Sequence, residues 1–195
     1  MKPNITLKLI KEILAVSSKP IPKVRLAKMV YFAFKELVID NYYNYQDLEF
    51  IRMPLGPVPA DFSEVLQGDE DILVNITDVG LSYNRENYSL KTGVKIEKSN
   101  YYDLLREIVE KISSYPTSSL IEISHSDYSW INNNNGDKYF ISPQDLIHFK
   151  GLSVTSGIEN EMDDQLIQSK LVKGMKEEMV KDNSALEFPD YYSDK

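Results

Sequence analysis

The sequence predicts a mainly helical α+β domain, in which amphipathic helices surround a central hydrophobic helix and a small antiparallel sheet or hairpin packs on one side. Three observations predict this class. Residues 23–39 carry an apolar stripe at helical spacing, and residues 71–97 combine β-branched and aromatic residues with turn signals. Several shorter segments are amphipathic, and we find no internal repeat.

The first two helices follow from the spacing of apolar residues. The rhythm of residues 6–16 predicts an N-terminal helix, which the segment SSKPIP then breaks. Pro22 suits the first turn of the second helix, because its missing N–H is not needed there. The second helix should be the centre of the core, since its apolar positions follow the three-four rhythm closely: Ala27, Val30, Tyr31, Phe34, Leu37 and Val38.

A proline-rich stretch, RMPLGPVPADF, follows a short half-buried strand predicted at residues 46–53. Pro54 cannot donate to a strand ladder and should end the strand. Gly56 precedes a proline, so we expect extended backbone there. Pro59 fits the first turn of a helix that continues through Phe62. The sequence therefore predicts a stiff strand-to-helix corner.

The rest of the predicted domain is a hairpin or meander over 71–97 and three helices. The first of these helices has Ser99 or Asn100 as its N-cap, the second begins at Pro116, and the third is capped by Ser142. Residues 151–157, GLSVTSG, are typical of a linker. We therefore expect one domain over 1–150, followed by an acidic C-terminal helix and tail over 151–195.

Charge is distributed unevenly along the chain, whose net charge is −8. Residues 1–57 contain nine Lys/Arg and five Asp/Glu, whereas residues 151–195 contain five Lys and ten Asp/Glu. Bulk nucleic acid repels an acidic protein, although a local basic face can still bind it.

Composition excludes several classes of protein. The chain has no cysteine, so disulfides, thiolate metal sites and cysteine nucleophiles are excluded. No apolar run approaches the ~20 residues that a membrane-spanning helix needs. The N-terminal helix contains Lys8, Lys11 and Glu12, which is not typical of a signal peptide. We expect a cytoplasmic protein without membrane contacts.

Catalytic motifs are missing as well. His125 and His148 are the only histidines, and neither belongs to a zinc-binding pattern. The sequence contains no G-x-S-x-G and no phosphate-binding loop. We predict no enzymatic activity, no metal and no cofactor. A hydrolase built on His125 with Asp127 or Glu122 stays open as an alternative.

The segment SHSDYSWINNNNG contains the only tryptophan. A lone Trp usually anchors a core, and we expect a corner that is pinned by the His125 imidazole and the Trp130 indole. His125 should lie near a helix C-terminus, where it could bind the last carbonyl groups. The asparagines that follow tolerate left-handed backbone and indicate a loop.

Four of these segments, in this order and spacing, resemble the Panacea antitoxin domain, also called the SocA-like or phage-associated GepA-like domain. They are VRLAKMVYFAF, FIRMPLGPVPADFSEVL, SHSDYSWINNNNG and ISPQDLIHFK, and the resemblance covers roughly residues 5–150. We call the following matching residues the signature residues and expect them to be mainly structural: Lys28, Tyr31, Arg52, Gly56, Pro57, Val58, Pro59, Phe62, His125 and Trp130.

Two residues depart from the family pattern. Ser129 stands where a proline usually precedes the Trp, and Leu55 stands where many members have Tyr or Asn. Residues 151–195 lie outside the resemblance.

The resemblance implies a function that composition could not supply. Such proteins are antitoxins of bacterial or prophage toxin–antitoxin pairs, and they block a toxin encoded beside them by direct protein contact. At least one relative is described as an adaptor that delivers its toxin to a protease. The implied partner is therefore a cognate toxin, with a protease as a possible second partner.

We expect the acidic segment 151–195, with Phe188, Tyr191 and Tyr192, to contribute to toxin contact, because many toxins that act on RNA or nucleotides are basic where they bind phosphate. A solubilising tail is the alternative.

A DNA-binding transcriptional regulator is the second candidate. A helix, a proline-rich turn, a helix and a hairpin imitate a winged helix, and a basic cluster lies near the start of the second helix: Lys19, Lys23, Arg25 and Lys28. The apolar stripe of that helix suits a core element better than a groove reader. Nucleic acid is therefore the less favoured partner.

Overall fold

The computed structural model describes residues 4–17, 19–78 and 84–147, in which it places seven helices and six strands. The expected mainly helical α+β class is confirmed. The helices are α1 (Ile5–Val16), α2 (Lys23–Ile39), α3 (Phe62–Gly68), α4 (Tyr102–Ser113), α5 (Thr117–His125), α6 (Tyr128–Ile131) and α7 (Pro143–Ile147). The strands are β1 (Ile21–Pro22), β2 (Glu49–Met53), β3 (Gly56–Pro59), β4 (Ile72–Asp78), β5 (Asn84–Leu90) and β6 (Lys138–Phe140).

Helix α2 is the centre of the core, as the sequence predicts. Most of its residues are buried, and it contacts α1, α4 and α5 as well as β3 and β5. Its apolar side chains pack into one hydrophobic cluster with side chains from α1, α4 and both sheets. Because α2 is covered on several sides, its polar residues must also find partners in the interior.

The predicted hairpin is confirmed as β4 and β5, which pair antiparallel from Ile72↔Leu90 to Asp78↔Asn84. A strand that the sequence analysis missed, β1, pairs with β5 through Ile21↔Tyr88 and Pro22↔Asn87. The strand order is therefore β1-β5-β4. A two-residue strand is too short to produce an alternating pattern, so periodicity could not reveal it.

The predicted strand-to-helix corner is wrong in its second half. GPVP forms strand β3, which pairs antiparallel with β2 after a turn at Pro54 and Leu55, and α3 begins only at Phe62. Pro59 therefore lies opposite Phe50 in a sheet and not in a helical turn. The order β3-β2-β6 makes β3 an edge strand of the described sheet, where proline is tolerated.

The register explains why two prolines fit this strand. The N–H of Ala60 donates to the carbonyl of Glu49 at 2.9 Å, so alternate residues of this segment point their nitrogens toward β2. Pro57 and Pro59 occupy the other positions, whose nitrogens face away from β2. The missing N–H groups therefore cost no ladder hydrogen bond.

Of the predicted helix caps, one is confirmed and one is wrong. The N–H of Asp145 donates to Oγ of Ser142 at 3.3 Å, while the N–H of Ser142 donates to the Asp145 carboxylate at 2.8 Å. Tyr101 occupies the N-cap position of α4 and makes no side-chain cap bond. Ser99 is used elsewhere, because both its N–H and its hydroxyl donate to the buried carboxylate of Glu12 on α1.

Gly56 adopts a φ of 94°, where extended backbone was expected. This conformation favours glycine, and space excludes any other residue as well. An added Cβ would lie 2.4 Å from Oγ of Ser124 and 2.6 Å from Nζ of Lys28. Gly56 is therefore a point of close approach between β3 and the side chains of α2 and α5.

Substituting Gly56→Ala should lower the free energy of unfolding by about 2–4 kcal/mol, because the substitution adds a clash to backbone strain. Gly93→Ala is the matched control. Gly93 has a similar φ of 85° with nothing near its added Cβ, so only about 1–2 kcal/mol of strain is expected. Urea denaturation of both variants measures the difference, and equal losses would contradict the close approach.

Candidate functional site

Two signature residues, Lys28 of α2 and Gly56 of β3, meet in the interior beside α5. Lys28 is 1% exposed, and its Nζ donates to the carbonyl oxygen of Pro57 at 3.0 Å. The backbone of Gly56 packs against this amine and against the hydroxyl of Ser124 on α5. Three segments far apart in sequence thus meet at one buried amine.

A second buried group lies further along the same face of α2. Both Tyr31 and Lys35 donate to the carboxylate of Asp127, the residue before α6, and the Lys35–Asp127 distance is 2.8 Å. Tyr31 and Lys35 are fully buried. Lys28, Tyr31 and Lys35 are spaced three and four residues apart, which places them on one side of a helix.

Burial shifts the proton affinities of this cluster. It lowers the pKa of the Lys28 amine well below its usual value, and the negative charge of Asp127 opposes that shift only in part. Burial also raises the pKa of the Tyr31 hydroxyl, and the neighbouring Asp127 raises it further. The pKa of Asp127 is raised by burial against the opposing effect of Lys35.

The only tryptophan joins the β2–β3 hairpin to the end of α5. The Arg52 guanidinium lies 3.9 Å from the centre of the Trp130 ring, and the His125 ring stacks on Trp130 at a centroid distance of 3.9 Å and an angle of 12°. Nε of Arg52 donates to the Trp130 carbonyl at 2.9 Å, and the indole N–H donates to the Met53 carbonyl at 3.3 Å. Arg52 also binds Asn135 in the loop after α6.

The corner expected to be pinned by imidazole and indole contains this His125–Trp130 stack, but the tryptophan is not a core anchor. Trp130 is only partly buried and does not belong to the hydrophobic cluster of the core. At the edge of the core, Trp130 is held by the side chains of Arg52 and His125 and by two hydrogen bonds. An indole has a large flat surface and one donor, so a rim position satisfies it as well as a core position does.

Ser129 joins α6 to α7. Its N–H donates to one oxygen of the Asp145 carboxylate at 3.0 Å, and its hydroxyl donates to the other oxygen. The N–H of Ser142 contacts both Ser129 Oγ and Asp145, at 3.0 and 2.8 Å. Ser129 and Asp145 are 5% and 2% exposed.

The remaining signature residues have different surroundings. Val58 and Phe62 line a small apolar pocket of about 40 Å³ beside Lys28. Phe188, Tyr191 and Tyr192 lie outside the described residues. Among the residues that the structure describes, no cluster of three or more His, Cys, Asp or Glu could hold a metal ion.

Sequence reasoning missed two polar residues of this site, namely Lys35 and Asp145, and did not find the partners of Asp127. Asp127 was considered only as a partner of His125. Its carboxylate instead accepts hydrogen bonds from Tyr31 and Lys35, while His125 lies flat against Trp130. A charged residue inside the apolar stripe of α2 was the available signal for Lys35.

The basic cluster expected near the start of α2 is not an exposed patch. Lys28 is buried, and Arg25 is 6% exposed and donates to backbone carbonyls at the end of α4, including that of Tyr115 at 2.9 Å. Lys23 forms an ion pair with Glu86 at 2.8 Å. Three of the four basic residues are therefore already engaged in contacts within the protein.

Residues 26–131 match the family model described as Antitoxin SocA-like, Panacea domain. The chain belongs to this family. The resemblance seen in the sequence is thereby confirmed, and the matched Panacea domain runs from α2 to the last residue of α6. No curated protein and no solved structure matches the chain.

Elements outside the matched Panacea domain complete the same core. Leu9 and Ile13 of α1, together with Tyr139 of β6, are buried in the cluster that α2 organises. None of the helices in the described residues combines the length and apolar character that crossing a bilayer requires.

The departure of this Panacea domain at Ser129 now has a physical reason. A proline at this position could donate neither its nitrogen nor a hydroxyl to Asp145. The serine supplies both donors, and they bind the two oxygens of one buried carboxylate. The substitution therefore provides partners for an acid at the start of α7.

Replacing Lys28→Met should change how stability depends on pH. Between pH 7 and 10 the unfolded chain still holds the proton of Lys28, whose ordinary pKa is about 10.4. The folded chain releases that proton at lower pH, so the unfolded state binds more protons and the stability of the wild type rises with pH.

The Lys28→Met variant lacks this rise. The unfolding free energy of the wild type should therefore increase relative to that of the variant as the pH is raised. Urea denaturation at several pH values measures it. Lys19→Met, at an exposed position, is the control for losing a surface charge. Parallel profiles for the wild type and Lys28→Met would contradict the buried amine.

A double-mutant cycle tests the Ser129–Asp145 contact. Ser129→Ala and Asp145→Ala should each cost about 1–3 kcal/mol, because each leaves a buried polar group without a partner. Their effects should fall short of additivity by at least about 0.5 kcal/mol, since both variants break the same bond. Thermal and urea unfolding give the four values, and additive losses would show that the two residues act independently.

Proposed function

We propose that this protein is an antitoxin that neutralises a cognate toxin by direct protein–protein binding and has no chemistry of its own. Membership of the SocA-like antitoxin family supports a toxin partner. The observation that carries the proposal is how the signature side chains are used. Lys28 and Tyr31 bind groups within the fold, as does the neighbouring Lys35, so these side chains act as structural connections between elements.

The hydrolase alternative gains no support from the geometry. A general base needs a reachable proton acceptor beside the substrate. Both oxygens of Asp127 accept hydrogen bonds from buried side chains, and the His125 ring is covered on one face by the indole of Trp130. No specific contact favours the DNA-binding alternative either, because Arg25 and Lys28 face the interior.

Charge supports the kind of toxin proposed. Toxins that bind phosphate-bearing substrates are positively charged at their active sites, and an acidic protein is attracted to such surfaces. The net charge of this chain is −8. We propose a cytoplasmic pair, in which the antitoxin covers the basic site and keeps substrate out.

We further propose that the chain divides its work between two parts. Residues 1–150 form the scaffold, and the acidic extension over 151–195 contributes contacts through Phe188, Tyr191 and Tyr192. The motivation is the ten Asp/Glu of this extension against five Lys, and its position beyond the family resemblance.

Co-expression with the protein encoded by the neighbouring gene tests this function. Full-length antitoxin should restore growth, and the purified pair should elute as one complex in size-exclusion chromatography. Toxin abundance should stay unchanged in rescued cells, whereas proteolytic delivery would lower it. Growth arrest in the presence of folded full-length antitoxin would contradict the proposal.

The same pair tests the extension. Removing residues 151–195, or changing Phe188, Tyr191 and Tyr192 to Ala together, should weaken toxin binding at least tenfold, about 1.4 kcal/mol. Replacing the exposed Tyr42 and Tyr45 with Ala is a matched control for lost aromatic surface, and we expect it to leave the affinity unchanged. Equal affinity of the truncated chain would assign the extension a role in solubility only.

A further inference from the structure

We propose that the outer edge of β4 is a docking site for an extended strand of the toxin, with an apolar middle and Lys or Arg at its ends. This inference rests on the proposed function and names the surface and the chemistry of the contact. In the described part of the chain, β4 pairs only with β5 and has its other edge open. An open edge presents unpaired N–H and C=O groups to an incoming strand.

The side chains of β4 are unusually apolar for an open edge. Leu73, Val74 and Ile76 are 39%, 51% and 66% exposed. Successive residues of a strand point to opposite faces, so both faces of the strand carry apolar surface. Between Ile72 and Thr77 there is no charged residue and no proline, the two kinds of residue that most often block edge-to-edge pairing.

Other sheet edges in the described residues do carry such protection. Strand β3 contains Pro57 and Pro59, whose nitrogens face away from its partner. Strand β1 has only two residues, one of which is Pro22. Strand β6 has three residues and begins with the exposed Lys138. The seven-residue strand β4 thus lacks the protection that the other edge strands carry. This is expected of a strand that receives a partner.

Charge selects a basic partner over a second copy of this chain. Residues 69–91 contain five Asp/Glu and two Lys/Arg, and three of the acids, Asp69 to Asp71, directly precede β4. Lys11 pairs with Asp69 and Asp71 at 2.8 and 2.7 Å, which compensates only part of this charge. Antiparallel pairing of two β4 strands would set Asp78 of each copy beside the Asp69–Asp71 segment of the other, so like charges would meet at both ends. Lys or Arg at the ends of a toxin strand would instead be attracted to these acids.

A defined peptide tests the edge without the toxin. The probe is the fluorescently labelled peptide KKVTVTVKK, titrated with the full-length protein at low salt and followed by anisotropy. We expect saturable binding below about 1 mM. The same peptide with N-methyl groups on alternate residues cannot donate backbone hydrogen bonds and should bind at least tenfold more weakly. The acidic peptide EEVTVTVEE should also bind at least tenfold more weakly.

Two variants of the protein complete the test. Ile76→Lys places a charge on the edge and should reduce peptide affinity at least tenfold. Phe140→Lys, at an apolar position of the other sheet that is 44% exposed, is the matched control and should bind the peptide as the wild type does. Circular dichroism confirms that both variants are folded. In co-expression, Ile76→Lys should impair growth rescue and Phe140→Lys should not.

Several outcomes would overturn the proposal. Absence of peptide binding at about 1 mM, or equal binding of the N-methylated peptide, excludes strand pairing at this edge. Full growth rescue by Ile76→Lys also excludes toxin docking at this edge, and it leaves the proposed antitoxin function intact. Failure of the wild type to rescue growth instead refutes the antitoxin function itself. A concentration-dependent dimer that Ile76→Lys abolishes would assign the edge to a second copy of this chain.

Discussion

Lys28 reaches the carbonyl oxygen of Pro57 in the interior, and Lys35, two turns along the same helix, reaches Asp127. Burying an amine costs several kcal/mol unless it is paired or neutral, so each contact must form wherever α2 is packed. Any shift of the hairpin or of the α5–α6 connection would leave one of these groups without a partner. The polar face of α2 therefore fixes how the surrounding elements are placed around an otherwise apolar core.

This arrangement places most of the family signature in contacts within the fold, apart from the exposed β4 edge that we propose as a docking site. The signature residues are used to position β3, α5 and α6, and Arg52 and His125 hold Trp130 between them at the rim. The framework of this Panacea domain therefore does not depend on the exposed side chains of β4, because none of these buried contacts involves them.

The sequence predicts those elements of the fold in which apolar residues recur at regular spacing. Helix α2 and the β4–β5 hairpin follow from spacing alone, because many residues contribute to each pattern. Strands β1 and β6 are too short to have a period. Pro59 is the ambiguous residue of the proline-rich corner, since proline suits both a first helical turn and an edge strand. Only the register with β2 decides between the two.

The site was predictable in its signature residues and not in their partners. Lys28, Tyr31 and Trp130 were found through a family pattern, whereas Asp127 and Asp145 are single acids in polar segments without a pattern of their own. Ser129 was visible as a departure, but its meaning depended on Asp145, sixteen residues away. Pairings of this kind arise from tertiary structure, which single-sequence patterns do not encode.

The separation in sequence between α2 and Asp127 has a consequence for synthesis. Tyr31 and Lys35 lie 96 and 92 residues before the carboxylate that binds them. A nascent chain on the ribosome therefore holds these groups unsatisfied until the segment that follows α5 has emerged. Incomplete chains lack the contact that closes the core and are open to cellular proteases. Only chains that have been translated past Asp127 can complete this buried contact.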